Sequence, residues 1–264
     1  MDREVVLASF DEQIRRDLRA DDPDTCVELT DDVLRTVSGE SGWSGITWSH
    51  LEPDSADAVI AEQINWFAQR SRQWEWKLYS YDTPADLAQR LLAAGFVPEP
   101  VEALMIAEIS EITIDAPPPP GVQLQPVVDE SGVAALVEVH NRVFGGDHSA
   151  IGQSLMLALT HRPNTVAAFV AVANGTPISS GRMEFHLDTE FASLWGGGTV
   201  SEWRGRCVFR ALVARRAALA AENGFRYLQV DASAESRPIL ERMGFEQLAS
   251  TTPYIHKSLA LRDS

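Results

Sequence analysis

The stretch that most limits how this chain folds runs Trp195-Gly196-Gly197-Gly198-Thr199-Val200-Ser201-Glu202-Trp203-Arg204-Gly205-Arg206-Cys207-Val208-Phe209-Arg210. Phe191–Trp195 has strand-forming character, yet it runs into three glycines that offer no side chain to pack. What such a strand gains is close approach of another backbone or of a ligand. A short loop then feeds a helix expected over about Gly205–Glu222, with Phe209, Leu212, Val213 and Leu219 on its inward stripe and Asn223-Gly224 as its stop. Unpaired N–H groups and the positive dipole end at a helix start favour an anion. Arg204, Arg206 and Arg210 sit beside them and make the one concentrated positive field of the chain. The stretch therefore predicts a phosphate site. It is not a dinucleotide fingerprint, because Gly196-x-Gly198 is followed by Ser201 rather than glycine. No G-x-x-x-x-G-K-[ST] occurs, and the chain has only two lysines, Lys77 and Lys257.

The elements around this stretch alternate in type. Val122–Val128 reads as a strand, and Asp129-Glu130-Ser131 opens a helix with Val133, Leu136, Val137 and His140 on one stripe. Ser154–Thr160 reads as a second helix, stopped by Pro163. Val166–Ala173 and Ile178–Leu187 read as strands turned by Asn174-Gly175. After the long helix come a strand at Tyr227–Val230, a short helix at Ser236–Arg242 ended by Gly244, and a strand from Phe245 onward. The expected class is mixed α/β, mainly antiparallel, with helices flanking the sheet.

Charge and punctuation divide the chain. Residues 1–120 carry 24 acidic and 9 basic side chains, whereas 121–264 carry 14 and 13, so almost all of the net charge of −16 lies in the first half. Ala116-Pro117-Pro118-Pro119-Pro120-Gly121 suits neither helix nor central strand and reads as a stiff linker over 116–121. The domains expected are 1–115 and 122–264. The first half echoes the end of the second. Trp76–Tyr81 followed by Asp82, a helix at Ala85–Ala94 and Gly95-Phe96 match Tyr227–Val230, Asp231, the short helix and Gly244-Phe245, with a constant offset of 149 from Asp82 to Asp231 and from Gly95 to Gly244. A duplicated domain is the economical reading.

Thr199 to Leu212, together with the later Ser236–Leu240 helix ending Glu241-Arg242-Met243-Gly244-Phe245, resembles the GNAT superfamily of N-acetyltransferases. The resemblance covers about 122–260. It implies a GNAT-like domain in the second half and, through the repeat, a degenerate copy in the first. It also implies that loop amides hold the pyrophosphate of acetyl-CoA, the cosubstrate, while the glycine-bearing strand splays to pair with the pantetheine arm. The implied cofactor-binding residues are Gly198, Thr199, Val200, Arg204, Gly205, Arg206, Cys207, Val208, Phe209, Arg210 and Ser236. Where such proteins show Q/R-x-x-G-x-G/A, this chain keeps Arg204 but has Cys207 and Phe209 at the small positions. Cys207 could serve as a thiol nucleophile, but the family transfers the acetyl group directly, which makes it a packing residue. The offset puts the equivalent first-half loop near Ser55–Ile60, where the chain reads Glu52-Pro53-Asp54-Ser55-Ala56-Asp57, with no glycine, no arginine and three carboxylates that repel a pyrophosphate.

Direct transfer to an amine of pKa ~10.4 needs a base, donors for the carbonyl oxygen and an acid for the thiolate. The family often places a tyrosine acid where this chain has Leu240. The candidates elsewhere are Tyr254, Glu190 and Ser236, with His256 beside Tyr254 on one strand face; His140, Asp147 and His148 surround the loop where such proteins build an acceptor site. The tryptophans Trp43, Trp48, Trp66, Trp74 and Trp76 read as core rather than as a cage for a cation. The function expected is N-acetyl transfer from acetyl-CoA to a small amine; the alternative is a non-catalytic acyl-CoA-binding or sensing protein. The acidic balance argues against nucleic acid. No apolar run is long enough for a membrane span, and Met1-Asp2-Arg3-Glu4 lacks a secretory pattern, so a cytoplasmic location is expected. Cys26 and Cys207 form no disulfide framework, no metal-ligand spacing is present, and self-association into a homodimer is left open.

Overall fold

The structure is a computed structural model and describes residues 1–16, 25–39, 42–70, 73–112 and 114–257. Helix α1 (Arg3–Phe10) continues into a π-helical turn, Asp11–Arg16. There follow β1 (Cys26–Leu29), β2 (Val33–Val37), β3 (Gly45–Ser49), α2 (Ala56–Ala68), β4 (Gln73–Tyr79), α3 (Leu87–Ala93), β5 (Val97–Pro98) and β6 (Glu102–Glu108). Next come β7 (Val122–Pro126), α4 (Glu130–Phe144), α5 (Ser149–His161), β8 (Val166–Ala173), β9 (Thr176–Phe185) and β10 (Phe191–Thr199). Helix α6 (Val208–Glu222), β11 (Tyr227–Ala232), α7 (Arg237–Glu241) and β12 (Glu246–Lys257) follow. The expected mixed α/β class, mainly antiparallel with flanking helices, is what the structure shows. No helix of the described residues is long and apolar enough to cross a membrane.

The chain forms two compact units that are not consecutive stretches. The first takes Met1–Leu104, Asp231–Ala234 and the chain from Gln247; the second takes Met105–Val230 and Glu235–Glu246. Pro117–Pro120 carry no helix or strand, but they fall inside the second unit rather than between the two. The reason is local. Residues just before the prolines are already held there, because Ile109 N–H donates to Arg226 O at 2.9 Å and Ile112 lies against Gly244. The division thus departs from the one expected at 116–121.

In the first unit the strands run β1-β2-β3-β4-β12, with β5 also paired to β12. Strands β3 and β4 are parallel and joined through α2, whose inward residues Val59, Ile60, Gln63 and Phe67 follow helical spacing. Trp74 stacks on Phe67 at 4.1 Å between centroids, and Trp76 is wholly buried, as their reading as core residues requires. Trp48 and Trp66 are partly covered by the chain's own cations, Arg16 over Trp48 and Arg35 and Arg70 over Trp66, whereas Trp43 is exposed, its Nε1 donating to Glu75 at 2.7 Å, and is not the core residue expected.

In the second unit the order is β7-β8-β9-β10-β11. Strand β8 is apolar throughout because both its faces are covered. Phe169, Ala171 and Ala173 join Val208 and Leu212 of α6, whereas Ala168 and Val170 join Val133, Leu136 and Leu155 of α4 and α5. The β8–β9 hairpin turns at Asn174 and Gly175, both at positive φ, as the Asn-Gly signal predicts.

Candidate functional site

The glycine run does not end β10; the strand continues through it to Thr199. Its register against β9 slips between Trp195, opposite Arg182, and Gly198, opposite Ser180, so β10 carries one extra residue there. Each glycine admits a close neighbour. A Cβ on Gly196 (φ +56°) would lie 2.6 Å from His140 Cε1; on Gly197, 2.9 Å from Phe209 Cε2; on Gly198, 2.8 Å from Val143 Cγ1. The bulge is therefore packed by α4 on one face and by α6 on the other. On its other edge β10 runs parallel to β11, pairing Phe191, Ala192 and Ser193 with Tyr227, Leu228 and Gln229. Among the described residues the ladder is recorded no further than Ser193 and Gln229, and Gly196–Gly198 of the bulge lie beyond it as a wedge beside β11.

The loop after β10 is anchored by its own start. Ser179 Oγ donates to Gly198 O at 2.6 Å, Val200 N–H donates to Ile178 O at 2.9 Å, and Arg204 Nε donates to Thr199 O at 3.1 Å. Gly198, Thr199 and Val200 thus fix the loop to β9, and the Val200 amide is already used. Downstream the amides are unclaimed: among the described residues, the N–H groups of 205–210 have no backbone acceptor. Gly205 has φ +72° with open space around it, and Cys207 is exposed at φ +63°. Helix α6 begins at Val208 rather than at Gly205, because left-handed Cys207 precedes it. No side chain caps it and no acid stands in its first turn. Val208 is buried in the core, Phe209 lies over Gly197, and Arg206 extends over the Trp203 ring at 5.0 Å. These amides, with Arg206 and Arg210 exposed beside them, have the chemistry that a pyrophosphate needs.

Two buried groups flank the bulge. His140 is 2% exposed, its ring rests on the Gly196 peptide, and neither ring nitrogen has a well-formed partner. Burial pushes its pKa down to about 4, and Arg182 and His148 act in the same direction. Arg216, on the α6 face, is 1% exposed and donates to two backbone carbonyls, those of Leu212 and Arg182. The sequence singled out His140 only as a neighbour of a loop and missed Arg216. A signal was present, since Arg216 stands four residues after Leu212 on the inward stripe, where a charge is out of place.

The catalytic candidates scatter. Tyr254 belongs to the first unit, opposite Trp76 on β4, and is buried in that unit's core. His256 follows it opposite Trp74, its ring 4.9 Å from Phe96. Glu190 precedes β10 at the end remote from the loop and pairs with Arg226 at 3.4 Å. Ser236 stands at the start of α7, just past β11, and Leu240 is buried. Within the second unit the structure therefore brings together the loop, the bulge and the wedge, with Glu190 at the other end of β10.

The first unit repeats the parallel pair with crossover helix, and after it the short helix with Gly95-Phe96. Its wedge is filled. Beyond Gly45 and Ile46, which pair with Glu75 and Trp76, the Arg15 side chain enters: Nε donates to Thr47 O at 2.9 Å and the guanidinium lies 4.0 Å over the Tyr79 ring. Nη2 makes a two-pronged bond to Asp82 at 2.8 and 2.9 Å. With Glu52, Asp54 and Asp57 around the α2 start, nothing here suits a diphosphate.

No family model matches the sequence, and no curated protein sequence matches it. Solved structures do resemble it along its whole length. A GCN5-related N-acetyltransferase from Kribbella flavida superposes with TM-score 0.70 at 16% identity, over 99% of this chain and 98% of that one. A functionally unknown conserved protein from Staphylococcus epidermidis ATCC 12228 gives 0.64 at 12% identity, over 94% and 98%. A tandem GNAT protein from the clavulanic acid biosynthesis pathway gives 0.61 at 12% identity, over 92% and 86%. The chain has the fold of the tandem GNAT acetyltransferases.

Proposed function

We propose that the second half is an acyl-CoA-dependent N-acyltransferase, with acetyl-CoA as the simplest donor and a small amine as acceptor, and that the first half is a degenerate copy. The observation that carries this reading is the wedge between β10 and β11, which opens beside a helix start whose amides at 205–210 have no backbone acceptor. Gly205, Arg206, Cys207, Val208, Phe209 and Arg210 would hold the diphosphate through main chain and guanidinium groups, and the backbone of Gly196–Gly198 would pair with the pantetheine arm. Bound there, the thioester supplies the acyl group. In this reading N–H groups of the bulge would donate to its carbonyl oxygen. Neutral His140 holds the Gly196 peptide from behind. Ser236, of the three catalytic candidates, is the one that follows β11, at the start of α7, and we retain it as a group that would come near the leaving sulfur.

Calorimetry with CoA tests the reading. The protein as it stands releases binding heat at or below millimolar CoA, and Gly205→Glu, folded by circular dichroism, does not; absence of heat from the unaltered protein refutes the proposal. A second reading, acyl-CoA binding without turnover, is favoured by Phe209 over Gly197 and by Leu240. A thermal shift with CoA combined with inactivity across a broad amine panel would select it.

A further inference from the structure

Acyl transfer leaves one buried charge without a role. Among the described residues, the buried arginines are Arg15, Arg35 and Arg216. Arg15 has Asp82 and Asp11, and Arg35 has Glu28. Arg216 has no acid: its bonds go to neutral carbonyls, from Nε to Leu212 O at 3.1 Å and from Nη1 to Arg182 O at 2.9 Å. A guanidinium carries five N–H groups, so three remain to be satisfied. Burial alone acts on its pKa, which falls only to about 10, so the group stays cationic at neutral pH. A buried cation without a counter-charge is costly, and proteins keep one where an anion completes it.

The surroundings say where that anion would come from. Two glycines make room for the guanidinium: a Cβ on Gly181 would lie 2.8 Å from Cζ, and one on Gly197 would lie 3.5 Å from Nη2. Gly197 is the middle residue of the β10 bulge, at the wedge where the reading above places the thioester. The outer nitrogen of Arg216 therefore lies beside the bulge, where this reading puts the acyl end of the donor, rather than at the loop of 205–210 that would take its diphosphate. We propose that Arg216 receives a carboxylate carried on the acyl group, so that the donor is a short dicarboxylic half-thioester of the succinyl or malonyl type. This rests on the acyl-CoA reading and narrows its donor class. The transfer itself is unchanged: the amine nitrogen bonds to the acyl carbon, the C–S bond breaks with its electron pair on sulfur, and the amine's proton ends on the thiolate. The carboxylate stays intact and is released with the amide.

The test uses two stable thioethers of equal chain length, S-(3-carboxypropyl)-CoA and S-butyl-CoA, with free CoA alongside, titrated into the full chain. The carboxylated probe is expected to bind roughly tenfold or more tightly than the butyl probe, the usual scale for a charged hydrogen-bonded pair. In Arg216→Met the ratio is expected to fall to near one or reverse, and in Arg216→Lys to lie between. Equal binding of both probes, or preference for the butyl probe, with CoA still binding, overturns the assignment of Arg216 and leaves the acyl-CoA reading intact. No binding of any of the three overturns both. The comparison in the unaltered protein decides the matter even where the variants fail to fold.

Discussion

Replacing Gly181 by alanine probes how tightly the bulge is built. The added Cβ would lie 2.8 Å from both Cζ and Nη1 of Arg216 and 3.0 Å from Nη2. Arg216 is not a flexible tip that can swing aside, because it is 1% exposed and held by Leu212 O and Arg182 O. Overpacking a core of this kind costs about 1–3 kcal/mol. If the guanidinium moves instead, it gives up a charged hydrogen bond to Arg182 O, about 1.5–3 kcal/mol. The expected loss is therefore about 2 kcal/mol in the second unit, a fall of roughly 4–8 °C in its melting transition for a unit of this size. The assay is a double-mutant cycle followed by thermal and urea unfolding. In an Arg216→Met background the obstacle is a thinner, uncharged chain, and Gly181→Ala should cost less by at least about 1 kcal/mol. An equal penalty in both backgrounds, or one below about 0.5 kcal/mol in the parent, would refute the claim that Gly181 exists to seat the guanidinium.

Three further outcomes follow from the geometry. Asp82→Asn removes the acid that meets Arg15 in the first unit's wedge and should cost about 3–5 kcal/mol, read as a lowered denaturation midpoint; a loss under about 1 kcal/mol would mean that the wedge is not held this way. Cys207→Gly relieves left-handed strain but adds unfolded-state freedom, so stability should move by less than about 1 kcal/mol while CoA heat is retained; loss of that heat would show that the thiol itself contacts the ligand. His140 is held neutral, its folded pKa of about 4 lying below the ordinary 6.5, so the unfolded chain binds the proton more readily. Stability from this group is full above pH 6.5 and lost as pH falls toward 4, and His140→Gln should flatten that slope in acid unfolding curves; an unchanged slope refutes it.

Much of the second unit could be read from residue order. The Asn174-Gly175 hairpin, the α4 stripe and the short helix ended by Gly244 depend on local rules, and each lies within a few residues of its expected place. The start of α6 was misjudged because Arg-Gly-Arg-Cys reads as helix by charge and spacing, whereas Gly205 and Cys207 both adopt positive φ. The three glycines gave away an unusual strand but not its neighbours, since which helix face reaches a bulge is a tertiary matter. Arg15 and Arg216 are harder to place for a related reason. A buried cation is a sequence anomaly, but a partner of each, Asp82 for Arg15 and the Arg182 carbonyl for Arg216, lies far along the chain. Tyr254 lies within the expected 122–264 by chain order, yet its strand bonds to β4.

That last placement governs how the protein is made. Strand β12 supplies the partner for β4 along Thr251–Lys257, opposite Gln73–Tyr79. During synthesis the earlier half emerges long before these residues do, so its edge at β4 stays bare while more than a hundred amino acids are added. An exposed strand edge is a template for pairing with foreign chains. Clipping the protein just after Phe245 would therefore strip β4 of its partner, and the nascent polypeptide would need shelter at β4 until its tail arrives.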